Sequence, residues 1–294
     1  MRRYGVPMQE VQEAQEVLRA RNMSCAMPGE HGVTAVFQGL SISLGRGEIV
    51  DLVGPSGSGK SSLLTALARL NPHAAGELTF EGRPAAEFAP QQWRRRVAYL
   101  PQKPTLIGDS VGEAIRLPWT LAVRKEAESS VKARFGKRGS HAGPDAGALL
   151  PDGRIRGLLD AVGCSDVDLS RPVHDLSGGQ AARVSLARTL LTRPTVLLAD
   201  EVDAGLDDDN ARLVADVLAE AAGHGMTVVR IRHRPPDGRA SRILRLADGV
   251  LSDVTGLAGA SDMGGGVADG VADGVTGGAV GAGVARDAMT GEVL

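Results

Sequence analysis

The chain has 294 residues, 43% of them hydrophobic, which suffices for one large domain or two small ones with a sizeable core. A formal net charge of −2 argues against broad nucleic-acid affinity, which needs a basic stripe to displace counterions. The two cysteines, Cys25 and Cys164, stand far apart without a CxxC pair; neither a disulfide framework nor a zinc site is signalled, and a reducing cytoplasm fits.

Met1 to Pro7 carries two arginines but leads into a Gln- and Glu-rich stretch, so it does not read as a signal peptide. No segment approaches the roughly 20 apolar residues of a spanning helix, so any membrane role is expected to use a partner's helices. Residues 8–17 are polar with irregularly spaced Val11 and Val17; residues 1–17 read as an N-terminal arm, either a short exposed helix or disordered. From Leu18 to Val50, short apolar runs punctuated by glycine (Thr34–Phe37, Leu40–Leu44) read as strands.

Gly47–Val53 is apolar and β-branched enough for a buried strand, and Ser62–Leu70 reads as a helix. Between them lies Gly54-Pro55-Ser56-Gly57-Ser58-Gly59-Lys60-Ser61, with Ser62 next in line. On a strand-to-helix turn, these glycines let backbone N–H groups converge on phosphate oxygens. Lys60 reaches the β- and γ-phosphates, and the Ser61 hydroxyl can ligate Mg²⁺. A chance Gly/Ser turn would not place both Lys60 and Ser61, so the stretch reads as a phosphate-binding loop. That loop names a nucleotide and nothing further.

Gly76–Gly82 reads as a strand. Arg94–Arg96, a solvated strand or helix end, leads into another strand that stops at Pro101-Gln102. Residues 108–171 change character: helical patterns at 111–123 and 155–162 flank a polar, aperiodic stretch at 135–147, which predicts a small helical subdomain with a flexible insert. Alternation then resumes with a helix at 181–191, a strand at 195–199, a helix at 210–222, a strand at 226–231 and an edge hairpin over 242–251. Such alternation builds an α/β fold, a mostly parallel sheet with helices on both faces. Residues 256–294 read as a low-complexity, disordered Gly/Ala-rich tail. Its near-repeat over Gly266–Gly274 lacks the regularity of Ca²⁺-binding β-helices.

Five further stretches are individually bland: Gln102, Leu176-Ser177-Gly178-Gly179-Gln180, Leu197-Leu198-Ala199-Asp200-Glu201, Ala204-Gly205-Leu206-Asp207 and His233. In this order, behind the phosphate loop and over roughly residues 18–255, they resemble the ATP-binding cassette (ABC) family of ATPases. The resemblance implies a P-loop NTPase core with a mostly parallel sheet, an antiparallel β edge region and the inserted helical subdomain. It implies ATP and Mg²⁺ as cofactors, the metal held by Ser61, Asp200 and Gln102, and Glu201 as general base, one residue past the metal carboxylate. Gln102 is expected to sense metal and water, and His233 the γ-phosphate. Ser177, Gly178, Gly179 and Gln180, with Asp207 of the D-loop, would close over ATP held by a second cassette. The chain is therefore expected to form a homodimer or to pair with another cassette. Its other expected partner is an integral membrane permease on the cytoplasmic face of the cell membrane, with no nucleic acid.

Two departures from the family pattern carry expectations. Met27 stands where most cassettes place an adenine-stacking aromatic, which predicts relaxed base preference, since a thioether packs on a base less specifically. Val202-Asp203 follows Glu201, and the like charge of Asp203 is expected to raise the Glu201 pKa. The segment Pro104–Val111, Leu117-Pro118-Trp119 and the run 200–210 look most like a subgroup of iron-export ATP-binding subunits; Trp119 reads either as packing or as a surface receiving the membrane partner. The rival class, a soluble cassette ATPase in cofactor assembly or DNA-linked processes, fits less well, because DNA-linked cassettes are split by long heptad coiled coils and 108–171 has neither the length nor the heptads. ATP and GTP hydrolysis measured side by side test the Met27 reading: comparable rates are expected, and a strong ATP preference would contradict it.

Overall fold

The computed structural model describes residues 15–29, 32–121 and 150–256. The insert at 135–147, most of the N-terminal arm and nearly all of the tail lie outside the described residues. Two long strands open the fold, β1 (Glu16–Gly29) and β2 (Gly32–Gly45). Glu16 and Val17, read from sequence as the end of the arm, are instead the first residues of β1, and Val17 is fully buried. With β4 (Ala74–Phe80) and β5 (Arg83–Pro84) they make an antiparallel sheet in the order β2-β1-β4-β5.

The second sheet runs β10-β9-β3-β8-β7-β6. Its strands are β3 (Ile49–Val53), β6 (Val97–Leu100), β7 (Val196–Asp200), β8 (Thr227–Ile231), β9 (Arg242–Ala247) and β10 (Val250–Asp253). All pair in parallel except β10, which closes the edge as an antiparallel hairpin with β9. Side chains alternate across each strand. Val196 and Leu198 of β7 therefore enter the core shared with the antiparallel sheet and α1 (Lys60–Leu67), while Leu197 and Ala199 enter the core beneath the other helices. Those helices are α3 (Val111–Thr120), α4 (Asp152–Ala161), α5 (Gly178–Leu191) and α6 (Asp208–Gly223). Trp119 is only 6% exposed within that second core, so packing is what it does here, not surface display.

A short helix, α2 (Pro90–Arg96), precedes β6; the sequence reading left Arg94–Arg96 as a strand or helix end and did not place the helix itself. Arg94, Arg95 and Arg96 form its last turn, where cations complement the helix dipole. Its one buried side chain is Trp93, whose Nε1 donates to Leu67 O at 3.0 Å and whose ring meets Phe80 and Phe88 edge-on.

Charge interrupts the apolar sheet at its centre. Asp51 of β3 and Arg230 of β8 are register partners on adjacent central strands, 3% and 2% exposed. Arg230 Nε donates to Asp51 Oδ1 at 2.5 Å and its Nη2 to Asp237 Oδ1 at 2.7 Å. Burial pushes the Asp51 carboxyl above its ordinary range despite the guanidiniums beside it. At Asp237 burial acts the same way, but hydrogen bonds from Arg230 and the Arg239 amide outweigh it and pull the carboxyl down to about 2. Replacing Arg230 by Met would leave both carboxylates without this partner. Arg230→Met is expected to cost about 3–5 kcal/mol in urea unfolding, and a loss below about 1 kcal/mol would contradict a paired buried charge.

Candidate functional site

The phosphate loop joins β3 to α1, as its flanking patterns predict. Two of its glycines are demanded by shape: Gly54, at φ 142°, would drive a Cβ to 2.0 Å from Leu246 O, and Gly59, at φ 96°, would drive one to 2.5 Å from Val36 Cγ1. Pro55, Ser56 and Gly57 are exposed. Because Leu63 N is the first amide to find an intrahelical acceptor, Gly59 O at 2.8 Å, the N–H groups of Lys60, Ser61 and Ser62 remain at the helix mouth without intrahelical partners. Lys60 is 6% exposed, and its Nζ donates to Gly54 O and Pro55 O, both at 2.9 Å. Burial lowers the Lys60 pKa, opposed by the charges of Glu201 and Asp200. Ser58 Oγ is buried without a hydrogen-bond partner among the described residues. A buried orphan hydroxyl, a lysine folded onto its own loop and a helix mouth of unpaired amides all fit a phosphate group as the missing partner.

The ends of three more strands converge on the same edge. In register, Leu52 lies beside Ile231, Ile231 beside Asp200, and Ala199 beside Leu100. The residues just past those ends therefore meet. Gln102 Nε2 donates to Glu201 Oε2, and His233 Nε2 lies 2.8 Å from Glu201 Oε1. Glu201 adopts φ 50°, a left-handed conformation unusual for a non-glycine residue, and two side chains hold its carboxylate. Asp200 is 5% exposed and accepts a hydrogen bond from Tyr99 Oη at 2.9 Å. Burial, then the Asp200 contact, pushes the Tyr99 hydroxyl pKa well up, which keeps it a donor. Among the described residues no cluster of three His, Cys, Asp or Glu side chains forms. An ion at Asp200 would thus take one carboxylate and complete its shell from hydroxyl, amide, phosphate and water oxygens, the habit of Mg²⁺.

Asp203 does not act as sequence reading expected. It is 8% exposed, with Oδ2 3.2 Å from Arg232 Nε, so its charge is balanced by a guanidinium and the like-charge argument for Glu201 loses its premise. Asp207 caps α6, accepting from Asn210 N at 2.8 Å, and that bond holds its carboxyl below the ordinary range. Ser177 caps α5 in a reciprocal box with Gln180, whose Nε2 also donates to Asp166 Oδ2 at 2.8 Å. Ser177 and Gly178 are exposed, and a Cβ on Gly178 would meet nothing within 4 Å, so this helix start faces open space. Met27 is 41% exposed and pairs across β1–β2 with Thr34. Thr34 lines an open cavity of about 700 Å³ formed with Val36, Phe37, Pro55 to Ser58 and Asp248 to Val250. Tyr99, Asp51, Arg230 and Arg232 escaped the sequence reading; for the first three the available signal was polar residues inside otherwise apolar buried strands, and Arg232 follows directly on one.

The fold and loop together define a P-loop nucleotide-binding α/β domain. The family model described as ABC transporter matches residues 37–204. The chain is 32% identical over 187 residues to the Escherichia coli (strain K12) protein named "Probable iron export ATP-binding protein FetA", covering 64% of this chain and 72% of that one. It is 34% identical over 232 residues to the pyoverdine export ATP-binding/permease protein PvdT of Pseudomonas savastanoi pv. phaseolicola, covering 76% of this chain but 32% of that relative, so it spans about a third of the relative's length. Among solved structures it resembles the dimeric structure of MJ0796, a bacterial ABC transporter cassette, with TM-score 0.63 and 22% identity over 81% of this chain and 98% of that one. It also resembles a bacterial Atm1-family ABC exporter with ATP bound, with TM-score 0.62 and 23% identity over 84% of this chain and 40% of that one. The chain belongs to the ABC transporter family, as an ATP-binding, ATP-hydrolysing cassette.

Proposed function

We propose that this cassette hydrolyses ATP with Glu201 as general base and thereby drives export through a separate membrane subunit. The observation that carries the reading is the Glu201 carboxylate, held by Gln102 and His233 beside the buried Asp200 and at the same sheet edge as Lys60. Hydrolysis requires charge neutralisation on the γ-phosphate, an oriented water and a proton acceptor. Lys60, released from its loop carbonyls, and the amides at the mouth of α1, with Gly54 to Ser62 shaping the cradle, supply the first. Ser61, Asp200 and Gln102 are the oxygen donors for Mg²⁺, which when bound neutralises phosphate charge, and Tyr99 fixes the Asp200 carboxylate through its hydroxyl. Glu201 takes the proton of the attacking water, and His233 orients that carboxylate and senses the γ-phosphate.

Ser177, Gly178, Gly179 and Gln180 form an exposed helix mouth, and with Asp207 they are assigned to the ATP of a second cassette, either a copy of this chain or a paired one. No described helix is long and apolar enough to cross a membrane. The translocation path is accordingly assigned to a polytopic partner, with the cassette on its cytoplasmic face. The names of the relatives, iron export and pyoverdine export, support an outward direction and iron-related cargo.

Glu201→Gln is expected to bind ATP and to lose about 10²–10⁴-fold in hydrolysis rate. Purified with MgATP from detergent-solubilised membranes of its native cell, this variant is expected to bring down a polytopic membrane protein. Recovery with soluble proteins or nucleic acid alone would contradict the transport reading and favour the assembly or DNA-linked class.

A further inference from the structure

Arg232 and His233 are consecutive residues just past β8, and both reach across to the segment just past β7. His233 Nε2 lies 2.8 Å from Glu201 Oε1, and Arg232 Nε lies 3.2 Å from Asp203 Oδ2. Arg234 extends the contact, with Nη1 2.7 Å from Asp208 Oδ1 and a second hydrogen bond to the Leu206 carbonyl. Segment 201–208 is thus stitched to 232–234 by three successive side chains. Behind the stitch, Arg232 Nη1 sits 2.6 Å from Asp237 Oδ2 and 3.8 Å from Asp51 Oδ2.

The two buried arginines of this network differ in how they are held. Arg230 makes aligned hydrogen bonds to Asp51 and Asp237. The Nε and Nη1 of Arg232 are close to carboxylates but lack hydrogen-bond alignment, and so does Asp237 Oδ2. Coulomb attraction without alignment constrains position less sharply than a directed bond. Arg230 is therefore the fixed arm, anchored in the sheet, and Arg232 the adjustable one, reaching out to the loop that carries Glu201 and Asp203. Because residues 201 and 203 lie on one short segment, holding Asp203 also sets where Glu201 meets His233.

We propose that Arg232 is a positioning residue for hydrolysis: its charge, paired with that of Asp203, holds the segment after β7 near the end of β8 so that Glu201 and His233 stay within reach of each other. This rests on the reading of Glu201 as the base. A structural role would show chiefly as lost stability, whereas positioning shows in turnover with ATP affinity kept.

The test measures steady-state ATP hydrolysis and urea unfolding for Arg232→Gln, Arg232→Lys, Asp203→Asn and the double variant Asp203→Asn/Arg232→Gln, with Glu201→Gln alongside. Arg232→Gln and Asp203→Asn are each expected to lower kcat about tenfold or more with KM changed by less than about twofold. Arg232→Lys, which keeps the charge, is expected to recover most of the loss, and the double variant to be no slower than the worse single one, as for two ends of one contact. Unchanged kcat in both single variants, a raised KM with kcat intact, or losses that multiply in the double variant would overturn the proposal. Should Arg232→Gln not fold, the near-isosteric Asp203→Asn decides alone on the same criteria. Wild-type turnover in Glu201→Gln would bring down the base assignment itself. A slow Glu201→Gln beside normal Arg232→Gln and Asp203→Asn would bring down only the positioning role.

Discussion

The parallel register of β3, β8, β7 and β6 is the constraint on which everything else depends. Strands that run the same way and end level with one another deliver the residues past their ends to one edge of the sheet. In open α/β sheets this carboxyl edge is where ligands bind. Here it receives the phosphate loop from β3, Gln102 from β6, Asp200 and Glu201 from β7, and Arg232 and His233 from β8. None of these side chains is near another in sequence except within a pair. The sheet supplies their proximity, and two hydrophobic cores hold the sheet on its opposite faces.

That arrangement also explains why charge is tolerated inside it. Asp51, Asp203 and Asp237 would each be costly to bury alone, yet Arg230 and Arg232 lie among them at ion-pair distance. The network begins in the centre of the sheet and ends on the loop that carries the proposed base. It joins the centre of the sheet to the loop after β7. An apolar filling of the same space would pack well but would not reach from β8 to Asp203.

Most of this fold is legible in the sequence because its central strands are apolar runs bounded by motif residues: Val196–Asp200 is buried throughout and ends on Asp200, with Glu201 directly after it. The P-loop is legible for the same reason, since its chemistry is local. Helix α2 was not, because a single buried residue, Trp93, among glutamines and arginines gives no period. The full length of β1 was not, because register shifts between Ala20 and Ala26 break the two-residue alternation that marks a strand. Asp203 was misread because its partner, Arg232, arrives from another strand, and only the fold reveals that its charge is answered. The cluster around Glu201 was legible as a set of separate family positions, while the hydrogen bonds that join Gln102 and His233 to it came only with the structure.

The strand ends bring the phosphate loop, Gln102, Asp200, Glu201 and His233 to one edge of the sheet, while the start of α5 is exposed. In the proposed mechanism a second cassette completes each site. Sedimentation velocity of the Glu201→Gln protein, with and without MgATP, tests it most directly. A monomer is expected without nucleotide and a dimer with it, the dimer lost when Ser177→Arg blocks the exposed helix start. A protein that dimerises equally well with Ser177→Arg would contradict it, and one that stays monomeric in saturating MgATP would contradict pairing with a copy of itself.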